Sequence, residues 1–107
     1  MQRFAKMIRV RPDKLDEYKR LHAECWPEIL DRMHRANLHN VGIFHRDGLL
    51  VMYSEYVGDD FAADQARFRD DPIMRKWQEV TAACQEPLPT AAPGEKWSPM
   101  EEVFHMD

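Results

Sequence analysis

The chain has 107 residues, of which 44% are hydrophobic and 32% charged, and its formal net charge at pH 7 is −4. This length fits one domain, residues 1–107, and the composition is that of a globular rather than a disordered protein. The basic residues are scattered among acidic ones, which argues against nucleic acid as a partner. The N-terminus lacks a secretory apolar segment, and no apolar run approaches the ~18 residues of a membrane span, so we expect no membrane association.

Cysteine and histidine spacing gives no sign of a metal centre. Cys25 and Cys84 form no CxxC pair, and the sequence contains no HxH, HExxH or HxxxH motif. We interpret the two cysteines as buried free thiols in a reducing compartment, which predicts a cytoplasmic protein. A glycine-rich phosphate loop and a nucleophile elbow are also missing, so the sequence predicts neither a nucleotide site nor a serine hydrolase.

The first third of the chain predicts a strand followed by a helix in two parts. Phe4–Val10 alternates imperfectly, as a strand does, and Pro12 suits the first position of a helix. Apolar and aromatic residues then recur at helical spacing: Leu15, Tyr18, His22, Cys25, Ile29 and Met33. Pro27 removes a backbone donor and disfavours helical geometry at Trp26, so we expect a break there and an end near Asn37.

Residues 38–57 predict a β-hairpin. Leu38–His45 and Leu49–Val57 have the composition of strands, and the Asp47-Gly48 pair between them is a strong signal for a tight turn. Alternation along the second strand places an apolar row on one face of the sheet: Val51, Tyr53 and Val57.

Two further helices and a closing strand are predicted in the remaining chain. Phe61–Arg69 is the shorter helix, and Ile73–Cys84 continues from Asp71-Pro72, with the aspartate as N-cap and the proline at the first helical position. Gln85–Pro99 contains four prolines, which predicts an extended ordered loop. We expect Met100–Met106 to form the last strand.

The predicted order β-α-β-β-α-β is that of a ferredoxin-like α+β fold of the dimeric α/β-barrel type. Two helices cover only one face of a four-stranded sheet, so the opposite face needs a partner. A second copy of the chain is the simplest partner, and the sequence therefore predicts a homodimer.

His22 is the strongest candidate for acid/base chemistry. It lies one turn after Tyr18 and one turn before Trp26, so we expect all three side chains to share one helix face. An imidazole titrates near neutral pH and can donate or accept a proton there. A structural histidine with satisfied hydrogen bonds is the other interpretation, and the spacing does not decide between them.

The remaining histidines are weaker candidates. His39 and His45 share strand parity with Val41 and Ile43, so they could face the same side as these apolar residues. His105 lies in the predicted last strand, where a core position and a pocket position are both compatible with the sequence.

Several segments spread over the whole chain together resemble the L-rhamnose mutarotase family. They are Glu17-Tyr18 through His22, Trp26-Pro27-Glu28-Ile29-Leu30, Asp71-Pro72 leading to Trp77, and the terminal Glu102-Val103-Phe104-His105. The resemblance implies a cofactor-free dimer of ferredoxin-like subunits that interconverts the α and β anomers of an L-sugar. It also implies that His22 is the catalytic acid/base and that Tyr18 binds the sugar.

The chain departs from the family pattern at two pocket positions. The family has a tandem tryptophan pair, of which Trp77 is present while Gln78 stands at the second position, and Val41 replaces a pocket tyrosine. These changes affect the identity of the sugar more than the reaction, so we expect L-rhamnose or a related 6-deoxy sugar such as L-fucose. The expected substrate-binding residues are Tyr18, Trp26, Trp77, Gln78 and His105.

Two other function classes are compatible with the predicted fold. One is a monooxygenase or haem-binding protein on a ferredoxin-like dimer, which would need a haem-sized apolar cleft with a histidine ligand. The other is a non-catalytic module that binds a small ligand and in which His22 is structural.

Overall fold

A five-stranded antiparallel sheet and four helices make up the computed structural model, which describes all residues from 1 to 107. The strands are β1 (Gln2–Val10), β2 (Leu38–Arg46), β3 (Leu49–Tyr56), β4 (Gln85–Glu86) and β5 (Ser98–Pro99). The helices are α1 (Leu15–Ala23), α2 (Pro27–Arg35), α3 (Phe61–Asp70) and α4 (Pro72–Ala82), with a 3-10 turn at Pro12–Lys14 before α1. None of the helices has the length and apolarity that crossing a bilayer would require.

The sheet has the strand order of a ferredoxin-like fold. Its strands follow the order β2-β3-β1-β4, and β5 also pairs with β1. Because β3 occupies one edge of β1, the two short strands β4 and β5 lie end to end along the other edge. The predicted α+β ferredoxin-like class is confirmed.

A proline and an aspartate set a helix break and a helix start at the positions that the sequence predicts. Trp26 adopts an extended backbone (φ −60°, ψ 132°), and Pro27 begins α2. The side chain of Asp71 accepts hydrogen bonds from the backbone N–H groups of Ile73 and Met74, at 2.9 and 3.2 Å, and so caps α4. The break between α1 and α2 and the cap of α4 are both confirmed.

The hairpin is confirmed. A bulge in β2, however, places one histidine on the face of the sheet opposite to the expected one. The turn residues Asp47 and Gly48 both have positive φ (52° and 80°), as a two-residue hairpin turn requires. Asn40, at φ 51°, adds one residue to β2 between His39 and Gly42. His39 consequently pairs with Glu55, on the opposite face from Ile43, because an inserted residue reverses the alternation.

The predicted last strand at Met100–Met106 is wrong. The backbone N–H of Met100 donates to the carbonyl of Ala5 at 2.8 Å, and the chain has no strand after that point. The edge of β1 that does not pair with β3 is occupied by β4 and β5. Both short strands lie inside the segment 85–99 that the sequence predicts as a loop. The tail 101–107 is exposed along its whole length, since a single chain gives its alternating apolar residues no surface on which to pack.

Two apolar clusters hold the helices on the inner face of the sheet. The first joins the sheet to α1 and to Cys84, which lies between α4 and β4, and consists of Ile8, Val10, Tyr18, Leu50 and Cys84. The second joins α2 to α4 and consists of Ile29, Met74 and Trp77. Burial of a large apolar side chain stabilises a fold by about 1.5–3 kcal/mol, so these clusters fix the positions of α1 and α4 relative to the sheet.

Candidate active site

A cleft lies between the inner face of the sheet and the helices, and it encloses about 1280 Å³ together with its extension along the C-terminal tail. Small-molecule sites typically enclose ~300–1,000 Å³, so the cleft has room for a sugar. The side chains that line it and carry the chemistry are Lys6, Tyr18, His22, Val41, Trp77 and Gln78.

His22 is half-buried on α1, and one of its two ring nitrogens is held by the backbone. Its Nδ1 lies 2.8 Å from the carbonyl oxygen of Tyr18, one helical turn earlier. Because a carbonyl oxygen can only accept, Nδ1 must carry the hydrogen of this bond. Nε2 has no hydrogen-bond partner within the protein and is the nitrogen left for proton exchange with a ligand.

Aromatic rings surround His22 on two sides. The ring centroid of Tyr18 lies 4.3 Å from that of His22, and the Trp77 ring meets the imidazole edge-on at 5.3 Å. Trp26 packs edge-on against Trp77 at 5.1 Å and is not among the residues that line the cleft. The structure therefore places Tyr18 and Trp77 at the cleft and Trp26 behind Trp77.

The hydroxyl group of Tyr18 is held by a residue from the far end of the fold. The side-chain amide of Gln85 donates to the Tyr18 Oη at 3.0 Å. Burial of the ring raises the pKa of Tyr18, so the phenol stays protonated at neutral pH. Because Oη accepts from Gln85, the hydroxyl hydrogen of Tyr18 is free to donate to a ligand oxygen.

The remaining predicted site residues occupy different positions. Gln78 is exposed on α4 and lines the cleft, and Val41 lines it from β2, half-buried. His105 is exposed in the C-terminal tail, which borders the cleft, and its Nε2 lies 2.7 Å from the Asp107 carboxylate. The structure thus brings Tyr18, His22, Trp77 and Gln78 to one cleft and leaves His105 on the tail.

Sequence reasoning missed two polar residues of the site. Gln85 can be identified only from the folded structure, because it contacts Tyr18 across 67 positions of the chain. Lys6 has a signal in the sequence, since it shares strand parity with Ile8 and Val10, whose side chains belong to the core. A charged residue at an inward position of a strand is a candidate for a binding site.

Neither a metal cluster nor a reactive thiol stands out among the other polar groups. The structure brings no three His, Cys, Asp or Glu side chains into an arrangement that could hold a metal ion. Cys84 is buried in the core, as predicted, whereas Cys25 is only half-buried and borders the cleft. Burial raises the pKa of both thiols.

Comparison with known proteins gives a consistent match over the whole chain. A family model described as L-rhamnose mutarotase matches residues 3–106. An L-fucose mutarotase of Xanthomonas campestris is 34% identical, with 97% of this chain and 87% of that protein covered. An L-rhamnose mutarotase of Paraburkholderia phytofirmans is 28% identical, with 100% of this chain and 97% of that protein covered. The crystal structure of an L-rhamnose mutarotase from Formosa agariphila superposes with a TM-score of 0.79 over both complete chains, at 22% identity.

Proposed function

The chain belongs to the L-rhamnose mutarotase family, whose members are anomer-interconverting isomerases, and we propose that its substrate is an L-sugar of the 6-deoxy class, L-fucose or L-rhamnose. We further propose that His22 is the acid/base of the reaction. The match to an L-fucose mutarotase at 34% identity, beside L-rhamnose mutarotases at 26–29%, supports both sugars as candidates.

The observation that carries this proposal is the backbone contact of His22. Its Nδ1 is occupied by the Tyr18 carbonyl, so only Nε2 can exchange a proton with a ligand in the cleft. An acid/base must present one defined nitrogen in a fixed direction, and a hydrogen bond to the other nitrogen provides this. A structural histidine inside a core would have no unpartnered nitrogen beside a cleft.

The proposed reaction uses this nitrogen to open and close the sugar ring. Protonated Nε2 gives its proton to the ring oxygen while the C1–O5 bond breaks and the anomeric hydroxyl loses its proton to water. The products are the open-chain aldehyde, a neutral imidazole and a hydronium ion. Rotation about C1–C2 exposes the other face of the carbonyl, and the reverse proton transfers close the ring to the other anomer.

The neighbouring side chains suit the positioning of a sugar. Trp77 offers an aromatic surface for the apolar face of the ring, and it is only 5% exposed, so its position is fixed by packing. The free hydroxyl hydrogen of Tyr18 and the amide of Gln78 would bind sugar hydroxyls. Holding the open-chain form near His22 speeds reclosure, because the reacting atoms stay in reach. In this role Trp26 acts indirectly, by supporting Trp77.

We also propose that the enzyme works as a cytoplasmic homodimer. The face of the sheet opposite the helices exposes Phe44 (67% exposed) and carries Val51 and Tyr53. The C-terminal tail adds exposed apolar side chains, including Phe104, which is 80% exposed. A second copy would cover this surface.

Anomer exchange can be measured directly on the purified chain. In saturation-difference NMR, the α-anomer signal is saturated and transfer to the β-anomer is read with and without protein, for L-fucose, L-rhamnose and a set of pentoses. We expect transfer above the spontaneous rate for at least one 6-deoxy L-sugar and weaker transfer for the pentoses. Absence of acceleration for every sugar in the set would contradict the proposed function.

A further inference from the structure

Lys6 lies at the centre of β1 on the face of the sheet that forms the floor of the cleft. It pairs with Met52 of β3 on one side and Pro99 of β5 on the other. Ile8, two residues later on the same face, is buried in the core with Tyr18. This register directs the Lys6 side chain to the inner face, where it is half-buried and lines the same cleft as Tyr18, His22 and Trp77.

The ammonium group of Lys6 has no partner in the protein. No carboxylate lies within 4.0 Å of it, although the chain forms twelve ion pairs elsewhere. Three carboxylates border the cleft. Glu55 accepts from Tyr53 and Asn40, Glu102 accepts from Arg3, and Glu101 is exposed and forms no ion pair with Lys6. Glu55 also lies in β3 at the opposite parity to Met52, the partner of Lys6, and therefore on the other face of the sheet.

We propose that Lys6 is a substrate-binding residue, whose ammonium group donates a hydrogen bond to a hydroxyl oxygen of the sugar in the cleft. This inference rests on the proposed function and identifies the substrate as an aldose with a hydroxyl group directed at the sheet. Sugars are rich in acceptor oxygens, and an ammonium group has three donors and no acceptor. Lys6 would therefore act from the sheet side while His22 acts from the helix side.

The energetics favour a ligand rather than a structural role. An ammonium group that is partly removed from water without a counter-charge destabilises the empty protein, and burial accordingly lowers the pKa of Lys6. A structural lysine would instead form an ion pair that holds two elements together. A ligand hydroxyl would restore part of the lost solvation, so the gain appears only when the sugar is bound.

Three variants of the full-length chain separate these roles. Lys6→Met keeps the aliphatic stem and removes the charge, Lys6→Arg keeps the charge, and Lys76→Met makes the same change at an exposed position of α4 outside the cleft. We expect Lys6→Met to raise the KM for anomer exchange by about 10- to 100-fold with a smaller effect on kcat, as loss of a charged hydrogen bond to the sugar would. Lys6→Arg should recover part of this loss, and Lys76→Met should behave like the wild-type protein.

The melting temperature of the protein without ligand distinguishes a binding role of Lys6 from a structural role. Removal of an unpaired, half-buried cation should leave Tm unchanged or raise it, whereas removal of a structural lysine should lower it. A Lys6→Met variant with lowered Tm, or with a wild-type KM, would overturn the proposal.

A set of monodeoxy sugars identifies the bound hydroxyl. For the wild-type protein, the analogue that lacks the hydroxyl facing Lys6 should show the largest rise in KM. In Lys6→Met the same analogue should lose no more affinity than the others, because the two changes remove one interaction. If every analogue loses the same factor in both proteins, Lys6 does not contact the sugar. Failure of the wild-type protein to exchange any sugar would instead refute the proposed function.

Discussion

At the scale of single residues, two side chains of the candidate site already form one hydrogen bond with the protein. The Tyr18 carbonyl holds Nδ1 of His22, and the Gln85 amide holds the hydroxyl oxygen of Tyr18. Each contact leaves one defined atom for the ligand, Nε2 in the first case and the hydroxyl hydrogen in the second. Preorganisation of this kind avoids the cost of orienting the groups when substrate binds.

The sequence predicts part of this arrangement, and the reasons for the rest are physical. The four-residue spacing of Tyr18 and His22 places them on one helix face, as the structure confirms. The same reasoning fails for Trp26, because the break before Pro27 ends the helix that would have carried its ring to the cleft. Gln85 could not be found from local spacing, since only the packed fold brings it to Tyr18.

Substitution at Gln78 tests whether this position selects the sugar. An indole in place of the amide adds a stacking surface and removes a hydrogen-bonding group. This should suit L-rhamnose, because the resemblance to the L-rhamnose mutarotase family implies a tryptophan at this position. We expect Gln78→Trp to lower exchange on the preferred sugar and to shift the activity ratio towards L-rhamnose by about 2- to 10-fold. The measurement is NMR anomer exchange on both sugars.

Glu79→Trp is the matched control, since it adds the same ring at an exposed position outside the cleft. An unchanged ranking of sugars in Gln78→Trp would show that position 78 does not contact the substrate.

At the scale of elements, a buried carboxylate connects three parts of the fold. Asp64 of α3 is only 5% exposed and accepts hydrogen bonds from the Tyr56 hydroxyl on β3 (2.6 Å) and from the Asn37 amide after α2 (2.9 Å). It also forms an ion pair with Arg67. These donors, the Tyr56 hydroxyl first, hold the pKa of Asp64 below its usual value.

This pKa shift predicts a specific acid sensitivity. A carboxylate with a lowered pKa in the folded state adds stability above its unfolded pKa of ~3.9, and that stability is lost as the pH falls through the folded pKa. We expect Asp64→Asn to have a lower Tm than wild type at pH 7, with the difference shrinking as the pH is lowered towards about 2. Thermal unfolding followed by circular dichroism between pH 7 and 2 measures this.

The exposed aspartate Asp59, changed to Asn, provides the control and should leave the pH profile of Tm as it is in wild type. A Tm difference between Asp64→Asn and wild type that stays constant with pH would show that the charge of Asp64 does not stabilise the fold.

Elements with local signals were predictable, whereas those decided by pairing were not. Pro27, Asp71-Pro72 and Asp47-Gly48 fix a helix break, a cap and a turn through their own backbone chemistry. The bulge at Asn40 depends instead on how β2 pairs with β3, and the end of pairing at Met100 depends on which part of the β1 edge is free. Local alternation carries no information on that choice, so the predicted last strand was wrong.

At the scale of the whole molecule, the helices cover one face of the sheet and leave the other face, which carries several apolar side chains, uncovered. The sequence predicts such a face from the count of helices and strands, and the structure supplies its members, including Phe44, Val51 and Tyr53. The tail with Phe104 is a second exposed apolar element. Monomeric proteins rarely expose surfaces of this kind, which favours a homodimer built on the sheet face.

Sedimentation velocity at micromolar concentration tests the assembly. We expect wild type to sediment as a dimer and Phe44→Lys to weaken the dimer by at least about tenfold, because a charge would be buried in the apolar interface. Leu30→Lys places the same charge on the helical side at a residue that is similarly exposed, and it should leave the dimer intact. A wild-type monomer, or equal effects of the two variants, would contradict dimerisation through the sheet.

The most direct test of the proposed mechanism compares wild type with His22→Ala in the same anomer-exchange experiment. The half-buried imidazole contributes little to the core, so the variant should keep the circular dichroism spectrum of wild type and still bind the sugar. We expect the exchange rate on the best 6-deoxy L-sugar to fall by about 100-fold or more, because the proposed acid/base of ring opening is lost. A folded His22→Ala protein that exchanges anomers at close to the wild-type rate would contradict the assignment of His22 as the catalytic residue.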